Sequence, residues 1–362
     1  MVITLCGDVS ITQVNRDLWE QGDIRSVFGR IPELFRASDR VVINLECALT
    51  EQDTAIRKFG PNLKGPGLAA DILKEAGVTD CGLSNNHIYD FGKPGLEDTL
   101  RELERVGLNY TGIGKNEDDS RKDLVITQDD KTVRVITVCE HEYSYAMRDF
   151  PGARPYDPYD TAEDIRAAKA NADYVIVMYH GGKEHCQYPS PRLRKLCRAM
   201  VANGADLVLC QHSHCIGCTE EYRGGTIIYG QGNFHFIYPE LARASTWREG
   251  LAVRVELTDT ANIQLIPVVT TSTGMDLASD ERAEQILAEI EARNKALADG
   301  TWLDRWHDFC VSMKEQYENS VAGFHKGGEL DIELFAHYLD CEAHTDVWRE
   351  LYPTFHKAKI SQ

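Results

Sequence analysis

The sequence predicts a mixed α/β protein in which two packed sheets carry helices on their outer faces. Three observations say so. Short β-branched apolar runs alternate with helical patterns over the first three quarters of the chain, an antiparallel hairpin interrupts that alternation, and metal-capable polar residues stand at the ends of five of the strands.

Residues 2–6, 40–45, 78–83, 174–179 and 206–210 are apolar runs of strand composition. Helical patterns occupy 67–76, 94–106, 162–172 and 191–203 between them. Pro94 and Pro191 suit first helical turns, where a missing N–H costs nothing, and Gly77, Gly107 and Gly204 stand where left-handed caps belong. Residues 123–127 and 132–138 flank Gln128-Asp129-Asp130-Lys131 as a hairpin, and 226–229, 251–257 and 263–269 read as further strands. Strand signals stop after Ala278; 280–297, 302–317 and 332–339 then read as helices. The expected division is a domain over 1–277 and a helical C-terminal extension over 278–362.

Of the 362 residues, 43% are hydrophobic and 27% charged, the profile of a globular chain with a real core rather than a disordered one. The formal charge of −18 repels phosphate-rich polymers, so nucleic acid is not expected as a partner. No run is long and apolar enough for an integral membrane segment, the start Met1-Val2-Ile3-Thr4 has no basic leader, and eleven cysteines fall without framework spacing. Those features point to the cytoplasm. Cys215-x-x-Cys218 lacks the second cysteine pair of a structural zinc site, so these read as loop thiols.

Asp8 follows the first strand, Glu46 the second, Asn85-Asn86-His87 the third, His180 the fourth, and His212-Ser213-His214 the fifth. Ligands of open α/β folds gather beyond the carboxyl ends of strands, so these residues can converge although far apart in sequence. Singly each has an ordinary reading: Asp8 as a turn residue, Asn85 or Asn86 as a helix cap, His180 as a core histidine. Jointly, five strand ends carrying such groups point to a metal site. On an extended segment His212 and His214 would point the same way. Oxygen and imidazole donors without thiolate suit Mn²⁺, Fe²⁺ or Zn²⁺. Two such ions sharing Glu46 would serve phosphoester hydrolysis, by activating water and clamping phosphoryl oxygens. His307, His325, His337, His344 and His356 share no ligand spacing and read as surface or packing residues.

These pieces resemble the CapA (poly-γ-glutamate capsule synthesis) branch of the calcineurin-like metallophosphatases. The resemblance rests on Gly7-Asp8, Asn44-Leu45-Glu46, Ser84 to Gly92, Thr111-Gly112-Ile113-Gly114, His180 to Glu184, Gly204 to Val208 with His212-Ser213-His214, and Ile228 to Phe234, in family order. It implies a four-layer αββα sandwich with two divalent metal ions held by Asp8, Glu46, Asn86, His180, His212 and His214. His87 would be the histidine that protonates the leaving oxygen or stabilises the transition state, kept charged by Asp90, and Asn85, Glu184 and Asn233 would make substrate or outer-shell contacts. Three departures stand out. Ser10 stands in place of a superfamily histidine that CapA-like members also tend to lack, Gly181 and His185 replace a tryptophan and a tyrosine and suggest a more open pocket or a different substrate, and Gln211 stands where a small residue is common. Two functions follow from the resemblance: a metal-dependent phosphatase or phosphodiesterase acting on a small or glycan-linked phosphoester, or a non-hydrolytic accessory that binds polymer or capsule-synthesis proteins.

Overall fold

A computed structural model describes residues 1–238 and 245–353. Residues 354–362 of the expected extension, His356 among them, lie outside the described residues.

Two sheets face each other. The first has eight strands: β1 (Val2–Ser10), β2 (Arg40–Leu45), β3 (Asp80–Gly82), β4 (Asn109–Thr111), β11 (Asn233–Phe236), β12 (Glu249–Leu257), β13 (Ala261–Thr270) and β14 (Met275–Leu277). Its order is β14-β13-β12-β1-β2-β3-β4, and β11 also pairs with β1. The second sheet has six: β5 (Leu124–Gln128), β6 (Lys131–Cys139), β7 (Tyr174–His180), β8 (Leu207–Gln211), β9 (Thr219–Tyr222) and β10 (Gly225–Ile228), in the order β9-β10-β8-β7-β6-β5. The central pairs are parallel, β1 with β2 and β6 with β7 with β8, and so is the β3–β4 edge of the first sheet, while hairpin partners close its other edge and both edges of the second sheet antiparallel.

The period of two along each strand sorts side chains between layers. In β7, Tyr174, Ile176 and Met178 join Ile3, Leu5 and Val42 between the sheets, while Val175, Val177 and Tyr179 face outward. Those outward residues are covered by α6 (Pro158–Lys169) and α7 (Pro191–Ala202), through Ile165, Leu193, Cys197 and Met200. The outer face of the first sheet is covered by α1 (Arg16–Gln21), α2 (Ile24–Phe28), α3 (Ile31–Arg36), α4 (Ala69–Ala76) and α5 (Gly92–Val106), through Trp19, Phe28, Phe35, Leu73 and Leu103. The result is a helix-sheet-sheet-helix stack, as expected. A glutamine pair ties the sheets together: Gln211 donates to Cys6 O (3.2 Å) and to Gln231 Oε1 (2.9 Å), and Gln231 donates to Leu5 O (3.2 Å). A small residue at 211 could not make that link.

The C-terminal helices are α8 (Asp280–Asp299), α9 (Trp302–Ser312), α10 (Lys314–Lys326), α11 (Glu329–Asp340) and α12 (Glu342–Leu351). The helix expected over 302–317 divides at Met313, and α12 lies beyond the helices that the sequence pattern predicts. These helices build their own small core from Trp306, Cys310, Tyr317, Tyr338 and Val347, which also takes in Cys186. Among the described residues no helix is long and apolar enough to cross a membrane. All eleven cysteines are free and buried, Cys215 and Cys218 included.

The Thr111-Gly112-Ile113-Gly114 stretch has a steric explanation. Gly112 sits at φ 80°, and a Cβ there would lie 1.9 Å from Thr137 Oγ1 and 2.1 Å from Ser84 Oγ. Gly107, a left-handed helix cap at φ 70°, has open space around it. Gly112→Ala should therefore cost about 3 kcal/mol or more, from overpacking added to left-handed strain, against about 1 kcal/mol for Gly107→Ala. Urea unfolding of the two variants checks the difference; equal losses would contradict it.

Candidate metal centre

The parallel centres of both sheets end at the same edge, and that edge carries the site. Asp8 lies in an irregularity of β1, where the register shifts against both β2 and β11, so that it faces Asn44 on one side and Asn233 on the other. Gly7 permits this approach, because a Cβ there would meet Gly232 O at 2.6 Å. Glu46 follows β2, His180 closes β7, and His212 and His214 follow β8.

The structure brings the six expected ligands together. His180 Nε2 lies 3.0 Å from Asn86 Oδ1, 3.2 Å from His212 Nδ1 and 3.5 Å from Glu46 Oε1. Ligand atoms of Glu46, His180 and His212 lie within 4.8 Å of one another, and so do those of Asp8, Glu46 and His214. Glu46 belongs to both groups. It is fully buried, and neither of its carboxylate oxygens has a hydrogen-bond partner among the described residues. A buried carboxylate without a partner is costly unless a cation compensates it. The donor set, two carboxylates, an amide oxygen and three imidazoles with no thiolate, fits borderline divalent ions.

Electrostatics agrees. Burial and the charge of Asp8 push Glu46 up to about 8. Burial alone would push Asp8 up, but bonds and charges from His180, His214 and Asn44 bring it to about 2. For His180, burial opposes the charged form, and Glu46 and Asp8 outweigh it, raising the imidazole to about 10. Burial lowers His212 to about 4 and His214 to about 3, which keeps both as neutral donors. A neutral Glu46 would no longer raise His180, so the two carboxylate-linked groups titrate as a pair that retains at least one proton at pH 7.

Several sequence expectations need correction. His212 and His214 are not on an extended segment: both take left-handed backbone, at φ 78° and 52°. That strain is tolerated where surrounding contacts hold it. Here His212 N donates to Asp8 Oδ2 (3.0 Å), and His214 Nδ1 bonds Asn233 Oδ1 (2.8 Å), which leaves its Nε2 lone pair free. Asn233 thus orients a candidate ligand, and its amide donates to Trp247 O (3.0 Å). Asn85 spends its amide on Asn44 Oδ1 (3.1 Å) and Leu45 O (2.8 Å), and its oxygen accepts from His87 N (3.1 Å), so it braces the turn. Gly181 does not open the pocket. A Cβ there would meet Glu140 Cγ at 2.5 Å and Tyr179 Cε1 at 2.8 Å, so the space is already filled. An aromatic wall comes instead from Trp247, whose ring lies 4.4 Å from that of His214. Ser10, where the superfamily histidine is missing, is buried with an unpartnered hydroxyl.

His87 Nδ1 lies 2.7 Å from Asp90 Oδ2, the pairing expected. Its charge state differs from the expectation, because Lys58, buried, ion-pairs with Asp90 Oδ1 and sits 3.0 Å from His87 Nδ1. Burial and that ammonium lower His87, so the imidazole is neutral rather than held charged. Glu184 is half-buried; burial opposes its charge, but Lys183 and the imidazoles of His212 and His214 hold it well below the usual carboxylate range.

Three residues near the centre were missed. Lys58 lies in a loop with no motif. Glu142 Oε2 is 3.5 Å from His212 Nε2 and its Oε1 is 3.3 Å from His337 Nε2. Glu142 had a signal, since it follows the carboxyl end of β6, the strand beside β7. His337, read as a surface or packing residue, is buried beside the centre.

Residues 2–238 match the family described as bacterial capsule synthesis protein PGA_cap. The chain is 32% identical over 237 residues to the PGA biosynthesis protein CapA of Bacillus subtilis (strain 168), covering 64% of this chain and 62% of that protein. It is 31% identical over 247 residues to the capsule biosynthesis protein CapA of Bacillus anthracis, covering 65% and 60%. The chain thus spans about three fifths of the length of these curated relatives. A crystal structure of a hypothetical protein from Thermus thermophilus superposes with a TM-score of 0.45 at 16% identity, covering 73% of this chain and 99% of that one. With its match spanning most of the first sheet, all of the second and every candidate ligand, the chain belongs to the bacterial capsule synthesis PGA_cap family.

Proposed function

We propose that the chain is a metal-dependent phosphoester hydrolase of the cytoplasm, acting on a small or glycan-linked phosphoester with two divalent cations, Mn²⁺, Fe²⁺ or Zn²⁺. The observation that carries this reading is Glu46, a fully buried carboxylate shared by two donor clusters, with both oxygens unpartnered among the described residues. Glu46, His180, His212 and Asn86 would hold one cation and Asp8, Glu46 and His214 the other. Such a pair supplies Lewis acidity toward phosphoryl oxygens and an activated water.

The chain's own residues do the rest. Asn233 and Asp8 orient His214 and His212. Asp90 holds His87 by Nδ1, so in the neutral ring Nε2 carries a lone pair and would have to take up a proton before passing one to the leaving oxygen. Lys58 keeps Asp90 ionised and adds positive charge for an anionic substrate. Lys183, buried and paired only with Glu184 at 3.4 Å among the described residues, adds a second cation.

A second reading is favoured by the relatives, one of which bears the name PGA biosynthesis protein. On that reading the chain is a non-hydrolytic accessory that binds polymer or capsule-synthesis proteins through the same cleft. Co-purification with such a partner, and no turnover across a phosphoester panel by fully metal-loaded protein, would favour it over hydrolysis.

His87→Ala should lower kcat on aryl phosphates by about 10²- to 10⁴-fold while metal content holds. His212→Ala should lose metal as well as rate. Steady-state kinetics with elemental analysis checks both, and full activity in either variant would exclude this site.

Cation loading should also displace protons. The Glu46 and His180 pair holds at least one proton below about pH 8, and a cation requires its removal. Affinity should therefore fall as pH drops below 8, by about tenfold per unit for each displaced proton. Calorimetric titration with Mn²⁺ at pH 7 in Tris and in HEPES should give heats that differ by about one buffer ionisation per site pair. Equal heats would contradict the assignment of these two residues.

A further inference from the structure

The C-terminal helices lie beyond residues 2–238, the span matched by the family, yet they reach the metal centre. They are anchored on both sides of the cleft. On one side Arg57, adjacent to Lys58, ion-pairs with Glu329 (3.1 Å) and Glu333 of α11. On the other, Asp346 of α12 accepts from Ser190 Oγ (2.5 Å) and Arg192 Nε (2.8 Å) at the start of α7. Between these anchors the loop after β6 is gripped. Ala343 N donates to Glu140 Oε2 (3.1 Å), His141 binds Glu342 through its backbone N (2.9 Å) and Nδ1 (2.6 Å), and Tyr145 OH donates to Asp340 (3.2 Å).

The innermost contact is His337 of α11. It meets Glu142, which meets His212, and its ring stacks on Tyr143 at 4.9 Å and 21°. Tyr143 in turn lies 5.4 Å from the Lys58 ammonium that braces His87 and Asp90. A second wall thus stands over the centre, linked to both the ligand side and the His87 side.

We propose that α11 and α12 roof the metal cleft, and that His337 with Tyr143 restricts it to a compact anionic end group, a terminal phosphoryl group, excluding linkages inside a polymer. This rests on the hydrolase reading for the identity of the anion. Polymer linkages are flanked by bulk on both sides, and a roof tied down on both sides of the centre stands in the way of that bulk.

The test measures binding, so it stands whether or not turnover occurs. Full-length Mn²⁺-loaded protein is titrated with inorganic phosphate and with bis(4-nitrophenyl) phosphate, in wild type, His337→Ala and Arg57→Ala. Wild type should bind phosphate at least about 10-fold tighter, and both variants should narrow that gap by about 10-fold, the scale of one pocket contact. Arg57 is more than half exposed, so its variant loosens the roof without entering the pocket. A gap that is absent in wild type, or unchanged in both variants, overturns the proposal. A gap that narrows as expected in a protein inactive on every phosphoester refutes hydrolysis while the roof stands.

Discussion

Glu46 is the constraint on which the rest of the site depends. Taking a carboxylate out of water costs several kcal/mol even after relaxation, and here a second buried carboxylate, Asp8, raises the cost. Hydrogen bonds ordinarily offset such burial, and Asp8 accepts them from Asn44 Nδ2 and His212 N, whereas Glu46 has none among the described residues and meets only His180, at 3.5 Å. Asp8 is thus compensated by several hydrogen bonds, and Glu46 only by the neighbouring His180 imidazole. The neighbouring groups meet in the same space, with His180 Nε2 within hydrogen-bonding distance of both Asn86 Oδ1 and His212 Nδ1.

That arrangement was legible in the sequence because of one geometric rule. In a parallel strand the last residue emerges at the sheet edge, and β1, β2, β7 and β8 end together. Reading the strands thus located Asp8, Glu46, His180, His212 and His214 from residue order alone. What the rule does not carry is conformation and company. The left-handed turns at His212 and His214 follow from contacts with Asp8 and Asn233, which come from other strands. The close packing at Gly181 follows from Glu140, and the lowered basicity of His87 follows from Lys58, twenty-nine residues upstream in a loop without strand or helix pattern. Glu142 was within the reach of the rule, since β6 runs parallel to β7, but reading that segment only as half of a hairpin hid its far end.

The extension was legible as helices and not as part of a site. Its periodicity shows an apolar face, and Trp306, Tyr317 and Tyr338 do make a core. Periodicity says nothing of which polar residue meets the domain, so His337 looked like any other histidine of the tail. The division at Met313 was not legible either, because the pattern continues across 302–317. What the docking uses is the loop from Glu140 to Tyr145, a short segment with polar groups toward both the centre and the extension.

A pair of cations in this site would not occupy equivalent positions. One donor cluster combines Glu46 with two imidazoles, His180 and His212, and the Asn86 amide oxygen. The other combines two carboxylates with one imidazole, His214. Imidazole-rich sets favour borderline ions, while carboxylate and hydroxyl oxygens favour harder ones. Both clusters draw on the same Glu46, so filling the nitrogen-rich position first reduces the negative charge left for the second. On that filling order the oxygen-rich position would be the weaker and more exchangeable of the two, since it offers a single imidazole, that of His214.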